Sequence, residues 1–418
     1  MKTDHPAQLG SLYASLYAWI LVCVLLGLAV MLAACGAEGP LLSQTPPPAG
    51  RAASLGFGQT LPSLTPQDVE LFLAGRDDFL EVEDAPDGLG PIFNALSCAQ
   101  CHAVPNLGGS GSVMEMRAGT LDSIGNFTDP PGGSLINLFS LPPHTAQEVI
   151  PPNANVIAFR RPIPLFGAGL VEAIPDSAIL ALANQAGKPP GVAGRAHLVT
   201  DPGTGTARVG RFGWKANFST LRGFAAGAYR DEMGITNELF PQENAPNGDV
   251  SLLPLVDISP DPEDFPDRLT RRSGVDNFTN FMRFLAPPPR GAVTASVQQG
   301  ETVFQAIGCA SCHTPVLTTA ANAHPAFDRK PVPLFADLLL HDVGTGDGIK
   351  QDDARPNEIR TPALWGLRVR APFLHDGRAA TVEQAILLHA AEAAAVRANF
   401  LGLAAAEKQA LLDFLGSL

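Results

Sequence analysis

The chain has almost no cysteine outside two short motifs. Six cysteines occur in 418 residues, and the two that lie outside those motifs, Cys23 and Cys35, fall in an apolar N-terminal stretch. With that stretch set aside, the body has no thiol for a disulfide or for nucleophilic catalysis. Positive charge is scarce too. Lys and Arg together number 28 against 41 Asp and Glu, for a net charge of −13. That balance argues against binding to nucleic acid or to an anionic surface. Charged residues make up only 17%, whereas 41 Gly and 38 Pro point to irregular, loop-built structure rather than long regular elements.

The N-terminal stretch runs from Tyr17 to Ala34 and closes on Leu32-Ala33-Ala34-Cys35. A hydrophobic run ending on small residues reads as a secretory leader. The cysteine directly after it makes residues 1–34 similar to a bacterial lipoprotein signal, with Cys35 as the lipidation site. Only Lys2 precedes the run as a positive charge, offset by Asp4. The alternative is an uncleaved span, since about 18 apolar residues can cross a bilayer. Either way the body is expected outside the cytoplasm, on the periplasmic side of a bacterial membrane and anchored to it. Residues 35–60 include Leu41 to Ala49 (LLSQTPPPA) and are expected to form a proline-rich tether.

The two motifs are Cys98-Ala99-Gln100-Cys101-His102 and Cys309-Ala310-Ser311-Cys312-His313. Cys-x-x-Cys-His is the attachment signature of a c-type haem. The two thiols add across the porphyrin vinyl groups, and the adjacent histidine meets the iron from the proximal side. The competing reading is a single Cys₄ zinc cage, which leaves both trailing histidines unexplained. Two covalently bound c-type haems are therefore expected, with His102 and His313 on the irons.

The fold is expected to be mainly α, with two cytochrome c-like haem domains, the first enlarged by loop-rich insertions. The N-terminal haem domain is placed at 61–286 and the C-terminal one at 291–418, divided at Ala286-Pro287-Pro288-Pro289, which must break a helix. Thr65-Pro66 signals a helix start through an N-cap followed by proline. That helix is expected to run through Val69, Phe72 and Leu73 toward the first motif. Residues from about 105 to 155 read as loops. Residues 211–233 read as partly helical, with a further helix at 274–285. In the second domain a helix at 295–307 leads into the motif, and another at 404–418 closes the chain. No finer repeat is evident.

Among the remaining histidines, His389 is the candidate for the sixth iron position in the second domain. Thr381 to Gln384 form a capping box. Val382, Ala385, Ile386, His389 and Ala393 then follow on one helical stripe. A buried imidazole needs a partner, and iron is one.

Several further stretches carry a family resemblance. They are Arg360 to Trp365, Ala371 to Arg378, Thr381 to His389, Pro164 to Leu170, Arg211 to Ala216, Met233 to Thr236 and Leu340 to Gly344. They resemble the bacterial di-haem cytochrome c peroxidases and, more closely, the di-haem oxidoreductase family related to them. The resemblance covers roughly residues 65 to 418. It implies peroxide reduction at the N-terminal haem, with electrons from a small donor of the cytochrome or cupredoxin type reaching the C-terminal haem first. In the peroxidases the distal ligand of that haem is a methionine fourteen residues after the His-Asp-Gly histidine. Here the equivalent position, counted from His375, is His389, so the resemblance implies a bis-histidine haem of lower potential. Trp214 matches the inter-haem tryptophan and Glu232, next to Asp231, the distal carboxylate that moves a proton between the peroxide oxygens. Where the peroxidases carry a closing histidine for the first haem, position 118 is alanine. The expectation is an open first site, with Met114, Met116, His144 and His197 as the groups that would otherwise close it. His341 and His375 are expected to support propionates or loops. An inter-domain calcium is a further implication, with Pro372 at a matching position. The alternative is a di-haem electron-transfer cytochrome without substrate chemistry; a third reading is oxidation of a protein partner.

Overall fold

A computed structural model describes residues 56–143 and 146–418. The leader, Cys35, most of the tether and His144 lie outside the described residues. Among the described residues no helix is long and apolar enough to cross a membrane. The structure is mostly helical with small sheets. Its principal helices are α1 (Pro66–Leu80), α2 (Leu221–Met233), α3 (Gly274–Phe284), α4 (Ala295–Ala306), α5 (Val382–Leu387) and α6 (Ala405–Leu415). Four short strands form the largest sheet: β1 (Glu115–Leu121), β2 (Phe127–Thr128), β3 (Leu135–Ile136) and β4 (Val156–Arg160).

The helix starts follow from local chemistry. Thr65 caps α1 by accepting from the Asp68 amide, while the Asp68 carboxylate accepts from the Thr65 amide at 2.7 Å, and Pro66 occupies the first turn. Ser273 and Asp276 do the same for α3, and Thr381 and Gln384 for α5. Each pair satisfies amides that the first helical turn leaves without partners, an effect of about 0.5–2 kcal/mol.

Two helix crossings hold the described body together, and they are built alike. In the first, α1 meets α3 where a Cβ on Gly75 would lie 2.0 Å from the Asn277 carbonyl oxygen. In the second, α4 meets α6 where a Cβ on Gly300 would lie 1.9 Å from that of Ala410. Only glycine permits backbones to approach so closely. Four residues on, Phe79 packs on Phe281 at 4.8 Å and Phe304 on Phe414 at 5.2 Å. The same two rings stand 6.3 Å from His102 and from His313 respectively. The two opening helices thus share a Gly-x-x-x-Phe repeat that hydrophobic periodicity does not single out. Glycine carries no hydropathy signal, and its role is defined by a helix far along the chain.

The apolar core lies in two main clusters. The larger joins α1, α2 and α3 and also takes in Leu317, Phe327, Leu334, Leu339 and Trp365 from beyond the 286–289 linker. The smaller surrounds the second motif with residues of α4 and α6. Phe57, within the expected tether, is buried and meets Phe166 at 5.3 Å.

The expected loop at 105–155 is corrected in part. β1 pairs antiparallel with β4 from Glu115 opposite Arg160 to Gly119 opposite Val156, and with β3 at Met116 opposite Ile136. The strand's alternation of polar and apolar residues is short, and its partners are distant, so it does not read as a sheet in isolation. The closing helices are shorter than expected, and α5 ends at Leu387, two residues before His389.

Replacing Gly75 or Gly300 by alanine forces backbone apart at a crossing. Each variant is expected to lose about 1–3 kcal/mol of stability, read as a lowered denaturant midpoint. A Gly300→Ala protein as stable as the parent would refute the close-crossing account.

Candidate functional site

Each pentapeptide floors a cavity. The first has about 1900 Å³ of atom-free space up to its open mouth, and the second about 1480 Å³. Cys98 and Cys101 line the first, Cys309 and Cys312 the second. Four thiols divided between two cavities cannot form one zinc cage. None is in a disulfide, and burial pushes the Cys101 and Cys309 thiols up to about 12.

The imidazoles are oriented by backbone. His102 Nδ1 lies 2.9 Å from the Gly109 carbonyl, His313 Nδ1 3.1 Å from that of Phe335, and His389 Nδ1 2.7 Å from that of Ala385. In each ring Nδ1–H donates to the carbonyl, which leaves Nε2 as the basic nitrogen. Burial lowers His102 and His313 to about 4 and lowers His389 as well, so all three are neutral. A neutral imidazole with a free Nε2 is the form that binds a metal. His389 lines the second cavity together with His313, and so do Val382, Ala385, Ile386 and Ala393. The expected stripe therefore faces one space, although the chain leaves the helix before His389.

The polar lining fits a dicarboxylate macrocycle. Arg161, Arg360 and Arg370 line the second cavity, and none has a carboxylate partner among the described residues. Arg360 donates to the Gly213 carbonyl at 2.8 Å and Arg370 to that of Ala363 at 2.9 Å. Burial pushes both down to about 10. Buried cations need counter-charge, and haem propionates provide it. Two buried nitrogens without a hydrogen-bond partner, Arg160 Nη2 in the first cavity and His375 Nε2 in the second, are further sites for a propionate oxygen. His341, expected to support a propionate or a loop, is engaged with other segments of the chain. Its ring lies between Asp337 at 2.9 Å and Glu392 at 2.8 Å, with Cys312 Sγ 3.6 Å away. Those bonds, set against burial, raise it to about 12.

The first cavity carries the acid–base groups. α2, capped by Thr220 and ended by Gly234 in the left-handed region, directs Ala225, Ala228, Tyr229 and Glu232 into it. Asn94 Nδ2 donates to Glu232 at 2.9 Å. Burial and the charge of Glu115 push Glu232 up to about 8 despite Asn94 and Arg117. Asp231 lines the same space and is bonded to Arg230 at 2.6 Å. Trp214 lines both cavities. Its indole N–H donates to the Arg161 carbonyl at 2.8 Å, and its ring stands 6.0 Å from His375.

Three lining residues were not anticipated: Glu115, Arg117 and Arg160. β1 and β4 bring them together, with Glu115 hydrogen-bonded to Arg117 and 3.6 Å from Arg160. The alternation Glu115-Met116-Arg117-Ala118 was the available signal. Met114 lines the first cavity and Met116 does not. His197 lines neither cavity and lies 2.8 Å from the Lys215 carbonyl. Among the described residues the one cluster of three potential metal donors is Cys312, Asp337 and His341. Thiol and imidazole are not calcium donors, so the expected calcium gains no support from it.

Comparison with known proteins agrees with the chemistry of these cavities. Residues 152–418 match the family described as "Di-haem oxidoreductase, putative peroxidase", and the chain belongs to that family. The matched span contains the second pentapeptide, Cys309 to His313, and the first lies before it. Cytochrome-c peroxidase IdrP2 of Denitromonas iodatirespirans is 27% identical over 149 residues, covering 30% of this chain and 40% of that protein. The match therefore spans less than half of that relative. Solved structures with similarity include hydrazine synthase of Kuenenia stuttgartiensis, at 16% identity over 84% of this chain and 87% of that one, with a TM-score of 0.37. A MauG-like protein associated with microbial copper homeostasis is 17% identical over 86% and 92%, with a TM-score of 0.36. The diheme peroxidase BthA from Burkholderia thailandensis E264 is 15% identical over 70% and 92%, with a TM-score of 0.32.

Substituting His389 by alanine in the haem-loaded protein is expected to convert one low-spin haem to high spin. Electron paramagnetic resonance reads this directly, and an unchanged spectrum would remove His389 from the iron.

Proposed function

We propose that the chain is a lipid-anchored, periplasmic di-haem peroxidase in which electrons enter at the His313/His389 cavity and peroxide is reduced at the His102 cavity. The observation that carries this reading is the difference between the two cavities. The second offers two neutral imidazoles to one iron, whereas the first offers His102 and a raised carboxyl group, Glu232. When bound, the haems supply the electrons and the iron at which the O–O bond breaks. The protein's part is to bind peroxide and move its proton. Glu232 would take a proton from one peroxide oxygen and return it to the other. Asn94 holds Glu232 in place, and the Arg117 and Arg160 guanidinium groups provide positive charge for the developing hydroxide. Trp214 lies on the route between the cavities. A small donor protein of the cytochrome or cupredoxin type with a basic face suits the net charge of −13. Two features support export: the apolar stretch ending at Cys35, and two haem-attachment motifs.

One observation favours the electron-carrier reading. Met114 lines the first cavity, and a thioether reaching the iron would close it. Electron paramagnetic resonance separates the two. The peroxidase reading expects a high-spin ferric signal in resting or half-reduced protein, and its absence in both states would refute the reading.

Glu232→Gln is expected to slow peroxide turnover by about 10²–10⁴-fold while the optical spectrum of the haems stays the same. The parent rate should rise with pH as the carboxyl deprotonates through about 8, because only the carboxylate can accept the first proton. The variant should lack that rise. Equal turnover in the two proteins would remove Glu232 from the reaction.

A further inference from the structure

Oxidisable aromatic side chains are few. Of three tyrosines and three tryptophans, Tyr13, Tyr17 and Trp19 fall within the first 34 residues, leaving Tyr229, Trp214 and Trp365. Tyr229 is set apart by its surroundings. It is buried, lines the first cavity, and donates its phenolic proton to Glu83 Oε1 at 2.9 Å. Glu83 is also buried, and its backbone amide donates to the Leu96 carbonyl at 2.8 Å, two residues before the first motif. A chain of rings joins the phenol to the proximal imidazole. Tyr229 meets Phe278 at 4.9 Å, Phe278 meets Phe79 at 6.3 Å, and Phe79 meets His102 at 6.3 Å. Trp214, by contrast, donates to a backbone carbonyl, which is a poor proton acceptor.

We propose that Tyr229 is a redox-active residue: when donor electrons are lacking, it gives one electron to the peroxide-oxidised first haem and its phenolic proton to Glu83. Reduction of peroxide to the level of water takes two electrons. With both haems ferric, the haem supplies one and Tyr229 the other. The phenolic O–H bond breaks and an O–H bond forms on Glu83. The products are a neutral phenoxyl radical, a protonated carboxyl group and a haem centre left one electron more oxidised than ferric. An oxidised phenol is a strong acid, so the adjacent base lets electron and proton leave together. Burial, only partly opposed by the Tyr229 hydrogen bond, holds Glu83 up at about 7 and so makes it a better base than an exposed carboxylate. The pair gives an oxidising equivalent a defined resting place beside the haem instead of leaving it to attack the surrounding protein.

This inference rests on the reading that peroxide reacts in the first cavity, and the experiment keeps the two apart. The full chain carrying both haems in the ferric state is mixed with hydrogen peroxide, frozen, and examined by electron paramagnetic and optical spectroscopy. A radical signal is expected that narrows with ring-deuterated tyrosine and is lost in Tyr229→Phe. In Glu83→Gln, which keeps the phenol, the radical yield should fall at least tenfold. An identical signal in Tyr229→Phe, or one insensitive to deuteration, overturns the proposal. If Tyr229→Phe fails to take up haem, an undiminished yield in Glu83→Gln overturns it instead. If peroxide leaves the haem spectra unchanged, the peroxidase reading fails. A flash-generated ruthenium(III) polypyridyl oxidant then tests the tyrosine alone, and no deuterium-sensitive radical in the parent overturns this inference.

Discussion

Much of the site depends on one buried carboxylate. Asp347 accepts from Arg160 Nε at 2.6 Å and lies 3.2 Å from Lys215 Nζ, with all three side chains almost wholly buried. Against the upward push of burial, Arg160 and Lys215 hold Asp347 down at about 2. Lys215 also donates to the carbonyls of Arg355 and Glu358. A buried charge that loses its partner is strongly unfavourable, so these groups lock together three distant stretches: the end of β4, the turn bearing Trp214, and the loop around 347–358. That lock fixes Trp214 where both cavities meet and turns Arg160 into the first of them. Between Asp347's low value and the ordinary carboxylate range, stability is lost as pH falls and the carboxylate takes up protons, because the unfolded chain binds them more readily.

Within that frame the two cavities have opposite characters. The second is cationic, with Arg161, Arg360 and Arg370 unpaired by protein carboxylates and the rings of His313 and His389 turned by backbone carbonyls. The first mixes charge of both signs: Glu115, Glu232 and Asp231 against Arg117 and Arg160. A six-coordinate centre needs little acid–base chemistry around it, while a centre that breaks an O–O bond needs a proton carrier close by. The proposed division of roles rests on that difference in lining.

Local signals in the sequence carried a large part of this. The pentapeptides, the Thr65-Pro66 helix start, the capping box of Thr381 to Gln384 and the stripe carrying His389 each lie within a short stretch of chain, so their chemistry is readable in place. What was not readable depends on distant partners. Gly75 matters only because Asn277 crosses it; Glu115 and Arg160 meet only because β1 and β4 pair; Glu83 is notable only beside Tyr229. A residue's composition and spacing say nothing of such neighbours. Position 118 illustrates the point. Its alanine shows that the peroxidases' closing histidine is missing there, yet the sequence could not show that the same strand turns Glu115 and Arg117 into the cavity.

The two glycine crossings have unequal consequences for how the chain is made. Gly300 and its partner Ala410 are separated by little more than a hundred residues, whereas Gly75 must wait for Asn277, about two hundred residues on. Because closure entropy grows only logarithmically, the longer loop costs roughly 0.5 kcal/mol more. The kinetic difference is larger in kind, since contacts between distant segments form late. Cys98 and Cys101 lie inside the longer loop, so the first attachment site stays uncovered while the intervening residues emerge. A long insertion thereby extends the period in which a haem can be joined before α1 and α3 close over it.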